Sequence, residues 1–348
     1  MPIETPRSLG EYFRSRQNNF NLIRLVAALT VIYGHSYAVV SAKGGADFFT
    51  RLIGWSFSGG VAVDTFFVIS GFLVTASAMK GNWRRYIAAR LLRIYPGLLL
   101  CATLLAFGLG ALLTTSPGYL QLPEVWRFWW HNGFAIKTEY FLPGVFTGMP
   151  DAAIDGVLWS IVIEVRLYVL VLVLQLAGVF RRPALFNTLV IAALTLGYLM
   201  VDVLSARASS AELRVEALYL LGMFCWVNRD RLPLNEFVLP ALLAVCAMAK
   251  NTDRFVVPYC LTITYSVFLF AFAPGFGWFR RVGDYSYGVY LYGWPVQQCL
   301  VLWDRQIPAW RNALLGCVIS LAIGMLSWHF FEKPVLSLKE RFSGGLGL

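Results

Sequence analysis

The sequence predicts an all-α integral membrane protein, a single bundle of about ten transmembrane helices with both termini in the cytoplasm. Hydrophobic residues make up 58% of the 348 residues and charged residues only 14%, whereas a soluble domain averages about a quarter charged residues. The mean hydropathy is +0.63. At this length, about ten helices of roughly 20 residues leave only short loops. We therefore expect one domain over residues 1–348 without an appended soluble domain.

Ten apolar segments are the candidate membrane helices. They are 20–40, 61–79, 94–115, 157–180, 186–204, 213–228, 235–249, 255–275, 285–303 and 312–332. The sixth and seventh are the shortest, and Glu216 and Glu236 fall within them. Residues 1–19 contain arginines, but the apolar stretch behind them lacks a small-residue cleavage site. The first segment is therefore predicted to be a retained helix behind a cytoplasmic tail, not a signal peptide.

Basic residues predict the orientation of these helices. An even number of helices puts both ends on one side, and loops rich in Lys and Arg are cytoplasmic. Most of the 29 Lys and Arg residues fall in the N-terminal tail, the 80–93 loop, three later turns and the C-terminal tail. This assignment makes 116–156 a long extracytoplasmic loop. It also explains the net charge of +10 as a topology signal, so nucleic-acid binding is not expected.

The six cysteines do not indicate a disulfide framework or a metal site. All of them fall in apolar segments, and no two form a CxxC pair. Cysteine is among the most frequently buried residue types and behaves there as a small hydrophobe. We therefore expect neither metal nor disulfides.

The first segment carries two ionisable residues, Arg24 and His35, eleven positions apart. Eleven steps of about 100° return a helix to within roughly 20° of its starting face and separate the two by about 16 Å. Ionisable groups at this depth are costly and usually face a polar cavity. Asp64 and Glu164 are expected at a similar depth, and a histidine held by a carboxylate is the usual general base. Alternatively, His35 only packs and hydrogen-bonds a neighbouring helix.

The fourth segment places polar residues on one helical face. Ser160, Glu164 and Tyr168 recur at i, i+4 and i+8, and Trp159 lies at the outer end of the segment. For Ser160 and Tyr168, hydrogen bonding between helices is an equally good interpretation. A carboxylate in this position favours a functional role more strongly.

Two further stretches each allow two interpretations. Residues 80–93 form a basic amphipathic pattern in which Arg90 and Arg93 are i, i+3 neighbours, suited to anionic lipid headgroups or to the phosphates of a cosubstrate. In the 116–156 loop, tryptophans at 126, 129 and 130 would form an interfacial belt or a platform for sugar rings.

Six motifs resemble the family 3 membrane acyltransferases, which include O-antigen, exopolysaccharide and nodulation-factor O-acetyltransferases. The resemblance runs nearly end to end and in family order. The motifs are Arg24 with His35, GGVAVDTFFVISGFL at 59–73, Arg90-Leu-Leu-Arg93 followed by Ile-Tyr-Pro, LWSIVIEVRLY at 158–168, GDYSYGVYLYGWPVQQ at 283–298 and FEKP at 331–334.

The resemblance implies an O-acyltransferase of the bacterial cytoplasmic (inner) membrane. Its cosubstrate would be acyl-CoA, usually acetyl-CoA, with no permanently bound cofactor, and its acceptor a hydroxyl of a carbohydrate or glycolipid. His35 would be the catalytic base or a transient acyl carrier, oriented by Glu164 or Asp64. Two sets of residues would serve the substrates: Arg24, Arg90 and Arg93 for the phosphates of acyl-CoA, and Ser70, Trp159, Ser160, Tyr168 and Tyr290 for the substrate pocket.

The chain departs from the family pattern at two positions. Many members have a histidine where this chain has Gly293, and Asp64 stands one place later than the usual acidic residue. A C-terminal esterase-like domain, present in some relatives, is not expected. The rival functions are a transporter that uses the buried ionisable residues as a proton relay, and a non-catalytic scaffold. Transporters often show inverted repeats, and none is evident in this sequence.

Overall fold

The computed structural model describes residues 7–15, 17–41, 45–80, 82–200, 210–252 and 254–337. Within these ranges the chain is helical and forms no strand, apart from a single bridge between Ser8 and Pro233. The α-helices are α1 Leu9–Arg14, α2 Phe20–Val39, α3 Phe48–Ile53, α4 Ser58–Ala78, α5 Trp83–Thr103, α6 Gly110–Leu113, α7 Pro123–Gly133, α8 Leu158–Leu176, α9 Pro183–Leu199, α10 Ser210–Val227, α11 Val238–Ala249, α12 Val256–Ala271, α13 Ser286–Trp303 and α14 Ala309–Ser327.

Five of the described helical stretches are long and apolar enough to cross a membrane. They are Phe20–Val39, Ser58–Ala78, Trp83–Leu113, Leu158–Leu176 and Ala309–Ser337. A helix also occurs at each of the other predicted segments, but α11 has only 12 residues. At 1.5 Å per residue it is about 18 Å long, shorter than the roughly 30 Å hydrocarbon core. The membrane-helical class is confirmed, whereas ten full crossings and cytoplasmic termini stay predictions.

The third segment begins earlier than predicted. The structure starts α5 at Trp83, so the basic stretch forms the first turns of the same helix that was expected to begin at 94. Pro96 lies inside α5, and a π-helical segment, Leu104–Leu109, continues the helix. Arg90 and Arg93 therefore lie on the same continuous helix as the apolar residues that follow them.

Residues 116–156 contain a helix that the sequence reading did not predict. Helix α7 begins at Pro123, and proline is favoured in the first helical turn. It buries Val125 and Phe128 and leaves Trp126 and Trp130 about half exposed. This amphipathic pattern is consistent with an interfacial position for those tryptophans.

The contacts divide the chain into two compact units. Unit 1 comprises Met1–Arg24, Val63–Trp83 and Leu167–Val282, and unit 2 comprises Leu25–Ala62, Arg84–Arg166 and Gly283–Leu348. One domain over 1–348 stays a prediction.

In unit 1 the N-terminal segment packs on the turn after α10. The backbone N–H of Leu9 donates to the carbonyl of Leu232 at 2.8 Å, and that of Gly10 to Arg229 at 2.9 Å. Arg14 pairs with Asp230 at 2.7 Å. The N-terminal segment and this turn are therefore held together by backbone hydrogen bonds and an ion pair, and their predicted cytoplasmic location stays a prediction.

Helices α4 and α10 approach each other closely within unit 1. A Cβ atom on Gly71 would collide with the backbone carbonyl of Tyr219, and one on Gly222 with that of Val68. Small residues let membrane helices come into backbone contact in this way. Phe72, which is fully buried, packs edge-on against Trp226 at 5.1 Å between ring centres.

In unit 2, α13 is the central helix, held to α2 and α14 by a buried amide pair. The side chain of Gln297 donates to the carbonyl of Ile32 at 2.8 Å and to the side chain of Asn312 at 2.9 Å, and Asn312 donates back to the carbonyl of Gln297 at 3.1 Å. A Cβ atom on Gly293 would lie 2.7 Å from a side-chain carbon of Ile32. Helix packing against Ile32 therefore leaves little room for a side chain at position 293.

Candidate active site

His35 lies near the end of α2, partly buried, between two aromatic rings of unit 2. Its imidazole contacts Phe57 at 5.2 Å and Trp294 at 4.9 Å between ring centres, both edge-on. These contacts fix the plane of the ring without covering it completely. Phe57 directly precedes α4, and Trp294 lies in the middle of α13. The sequence did not predict that Phe57 and Trp294 contact His35.

A row of side chains on α13 binds the segment 151–160. Tyr290, Trp294 and Gln298 are one turn apart and share a helical face. The indole N–H of Trp294 donates to the carbonyl of Ala153 at 3.0 Å, and the amide of Gln298 donates to the same carbonyl at 2.8 Å. The hydroxyls of Tyr290 and Ser160 lie 2.6 Å apart. His35 therefore contacts Trp294 on this face, and one turn away Tyr290 meets the Ser160 hydroxyl of α8.

Asp47 lies in the segment between α2 and α4 and is almost fully buried. Its Oδ1 accepts the backbone N–H of Thr50 at 2.8 Å, and its Oδ2 accepts that of Ser58 at 2.5 Å. Burial alone would raise the pKa of Asp47, but the hydrogen bonds from Ser58 and Thr50 outweigh it and hold the pKa below the ordinary value. The charge of this carboxylate acts on the His35 imidazole.

Asp155 is a second buried carboxyl in unit 2. Its Oδ1 accepts the backbone N–H of Val157 at 2.9 Å, and its Oδ2 has no hydrogen-bond partner within the described residues. Burial raises the pKa of Asp155 to about 8, although the bond from Val157 opposes the shift. The carboxyl is near enough to interact electrostatically with Cys101 and Tyr290.

Asp64 is engaged in an ion pair within unit 1. The Nε atom of Arg214 lies 2.9 Å from Oδ1 and 3.0 Å from Oδ2, and the hydroxyl of Tyr259 donates to Oδ2 at 2.6 Å. Asp64 is fully buried, and the Arg214 side chain is only 11% exposed. These contacts join α4, α10 and α12. They give the carboxylate a packing role that the sequence did not predict.

Arg93 also has carboxylate partners. It donates to Asp284 at 2.7 Å and lies 3.8 Å from Glu332, while its guanidinium stands over the ring of Tyr287 at 5.5 Å. Asp284 in turn accepts a hydrogen bond from Ser286 at 2.6 Å. A phosphate group at Arg93 would have to compete with both carboxylates.

Comparison with known proteins identifies the family of this chain. Residues 17–329 match the acyltransferase domain family. The chain belongs to the acyltransferase 3 family. It is 27% identical over 339 residues to the "O-acetyl transferase" of Shigella phage Sf6, covering 92% of this chain and 97% of that protein. It is also 27% identical over 369 residues to "Nodulation protein 10" of Rhizobium leguminosarum bv. viciae, covering 95% and 96%. No solved structure gives a significant match.

The family match confirms an acyltransferase, an enzyme of the O-acetyltransferase class, and the helices make it a multi-pass membrane protein. Of the predicted site residues, unit 2 of this acyltransferase contains His35, Trp159, Ser160, Glu164 and Tyr290, together with Arg90 and Arg93. Arg24, Asp64, Ser70 and Tyr168 fall in unit 1. The roles given to all of them stay predictions.

Glu164 is partly buried one turn along α8 from Ser160. Its charge acts on the phenols of Tyr86, Tyr287 and Tyr290, and the charge of Asp47 acts on His35. The pairing of His35 with Glu164 or Asp64 therefore stays a prediction. Among the carboxyls that the sequence reading missed, Asp47 had one local signal, since Asp before a short apolar helix is a favoured N-cap.

Proposed function

We propose that this membrane acyltransferase moves an acyl group, most simply acetyl, from acyl-CoA to a hydroxyl of a carbohydrate or glycolipid acceptor. The observation that carries the proposal is the His35 imidazole, which is partly exposed and clamped edge-on by Phe57 and Trp294. An imidazole whose ring plane is fixed is suited to take a proton from a reacting hydroxyl.

In the proposed reaction, His35 takes the proton of the acceptor hydroxyl while the oxygen of that hydroxyl attacks the thioester carbonyl. The new C–O bond replaces the C–S bond, and the CoA sulfur leaves with the proton that the imidazolium returns. If His35 instead accepts the acyl group, an N–C bond to the imidazole first replaces the C–S bond, and the CoA thiol leaves with the imidazole proton. The acceptor oxygen then replaces this N–C bond and returns its proton to the imidazole. Tyr290, one turn from Trp294 on α13, and Ser160 on α8 supply a pair of hydroxyl groups to hold the acceptor oxygen.

For the donor, we propose that Arg90 faces the phosphates of acyl-CoA, because the α5 helix presents it near the cytoplasmic end predicted from the basic residues. The contacts of Arg93 with Asp284 and Glu332 favour a packing role for that residue. The proposed role of Arg24 rests on its motif alone. The acceptor class and the inner-membrane location rest on the family and on the names of its relatives.

The test compares the three histidines of the chain. Membranes containing wild type, His35→Ala, His131→Ala or His329→Ala are incubated with labelled acetyl-CoA, and both CoA release and label in the glycan fraction are measured. His131 pairs with Glu139 at 2.8 Å and His329 lies 3.3 Å from the Tyr285 hydroxyl, so these variants are matched controls for loss of an imidazole. We expect only His35→Ala to abolish transfer at normal expression. Normal transfer by that variant would refute the catalytic role, and a carrier would release no CoA in any case.

A further inference from the structure

Beside His35, the residue Phe57 and the start of α4 pack against α2. A Cβ atom on Gly34 would collide with the backbone N–H of Gly59 and lie 3.0 Å from the ring of Phe57. The imidazole of His35 packs on that same ring. The residue after Phe57 is Ser58, whose N–H binds the Asp47 carboxylate. Asp47 is thus tied to the segment that forms one wall of the His35 site.

The Asp47 carboxylate is a fixed negative charge. It is 1% exposed, and each of its oxygens accepts a backbone N–H. Backbone donors hold the carboxylate in one orientation and favour its ionised form. A charge fixed near a group that becomes positive in the transition state stabilises that state without reorganisation.

Other charged or titratable groups face Asp47 from α2 and α3. Tyr37 interacts electrostatically with both Asp47 and Arg51, and its hydroxyl lies 3.4 Å from that of Tyr33. Arg51 donates to the carbonyl of Ala46 at 2.9 Å. Arg51 lies on the exposed side of α3, where solvent screens its charge more than that of a buried group.

We propose that Asp47 is the positioning carboxylate of His35, and that its fixed charge stabilises the imidazolium formed when the imidazole takes the acceptor proton. This inference rests on the proposed function, in which His35 is the base. It assigns the stabilising role to a residue outside both family-derived candidates, Glu164 and Asp64. Asp47 does not touch the substrate, and its effect passes through His35.

The test is the pH dependence of acyl transfer from labelled acetyl-CoA in membrane vesicles. Asp47→Asn removes the charge, Asp47→Ser removes it while keeping an N-cap oxygen, and Asp47→Glu restores it. Because an imidazole without its countercharge is a weaker base, we expect the acid limb of the rate profile to move to lower pH by roughly one unit in Asn and Ser. The maximal rate should fall about three- to tenfold, and Glu should restore both. Asp304→Asn, which removes another carboxylate that accepts a backbone N–H in unit 2, is the control and should move neither.

A capping role alone predicts a different pattern, with lower expression and thermal stability but an unmoved acid limb in the protein that folds. An unmoved limb in folded Asp47→Ser would overturn the inference. If His35→Ala is inactive in the same vesicles, that result leaves the proposed function intact. If His35→Ala is active, the proposed role of His35 is refuted, and the role of Asp47 that rests on it is refuted with it.

Discussion

Variants of the buried ion pair between Asp64 and Arg214 can distinguish a structural role of Asp64 from a catalytic one. In Asp64→Asn, the Arg214 guanidinium, 11% exposed, keeps its charge but loses the negative charge of Asp64. Removing one partner of a buried ion pair costs about 3–5 kcal/mol, and the residual exposure of Arg214 favours the lower end, about 3 kcal/mol. The Asn side chain can still accept the Tyr259 hydrogen bond, so the lost charge dominates the expected change.

The assay is thermal unfolding in detergent, followed by a thiol-reactive dye that labels buried cysteines such as Cys101 and Cys260 as they become exposed. A loss of about 3 kcal/mol should lower the Tm by several degrees. Arg214→Gln should destabilise to a similar extent, and the double variant should recover most of the loss because both charges of the pair are then removed together. Arg14→Gln is the matched control, because its pair with Asp230 is 61% and 51% exposed and exposed pairs contribute at most about 1 kcal/mol.

Acyl transfer by the double variant decides the function of Asp64. With a packing role, the stabilised double variant transfers acyl groups. A double variant that is as stable as the wild type but inactive would show that Asp64 takes part in the chemistry. Single variants that unfold at the wild-type temperature would refute the energetic reasoning itself.

Two further predictions concern unit 2. The first is Asp155→Asn. In the folded wild type the Asp155 carboxyl has a pKa of about 8, against an ordinary 3.8, so its ionisation lowers the free energy of unfolding. This loss is absent below pH 4, grows by about 1.4 kcal/mol per pH unit up to pH 8 and is constant above pH 8. The Tm advantage of Asn over the wild type should therefore widen between pH 5 and pH 8, and an advantage that is independent of pH would contradict the assignment. Arg93→Ala should lower the Tm, because it removes the guanidinium that contacts Asp284 and Glu332, while changing the apparent KM for acetyl-CoA less than twofold. A tenfold higher KM with an unchanged Tm would instead place Arg93 on the phosphates.

Local pattern was enough to predict much of the fold. The apolar segments located the helices, and most observed ends lie within a few residues of the predicted ones, as for α8 at Leu158–Leu176. Helix α7 was missed although Pro123 and the spacing of its tryptophans are helical signals. Composition alone predicts a Trp-containing loop here, whereas the spacing of the tryptophans predicts a helix.

The site shows where local pattern stops being informative. The sequence singled out His35, but not Trp294, which lies more than 250 positions away and reaches the imidazole only through the packing of α13 on α2. Likewise, the guanidinium group of Arg93 can bind a carboxylate as well as a phosphate, and only the tertiary structure shows that it binds Asp284. Side-chain chemistry identified the candidates, and long-range packing selects their partners.

The contacts between α13 and the segment 151–160 restrict how that segment can change. Trp294 and Gln298 bind backbone carbonyl groups there, and a carbonyl is present whatever the residue. Substitutions in this stretch should thus be tolerated more readily than insertions or deletions, since each added residue moves an extended chain by about 3.3 Å and would shift every later carbonyl out of reach. Epitope tags or cleavage sites introduced between 151 and 157 should consequently inactivate the enzyme even where point changes do not.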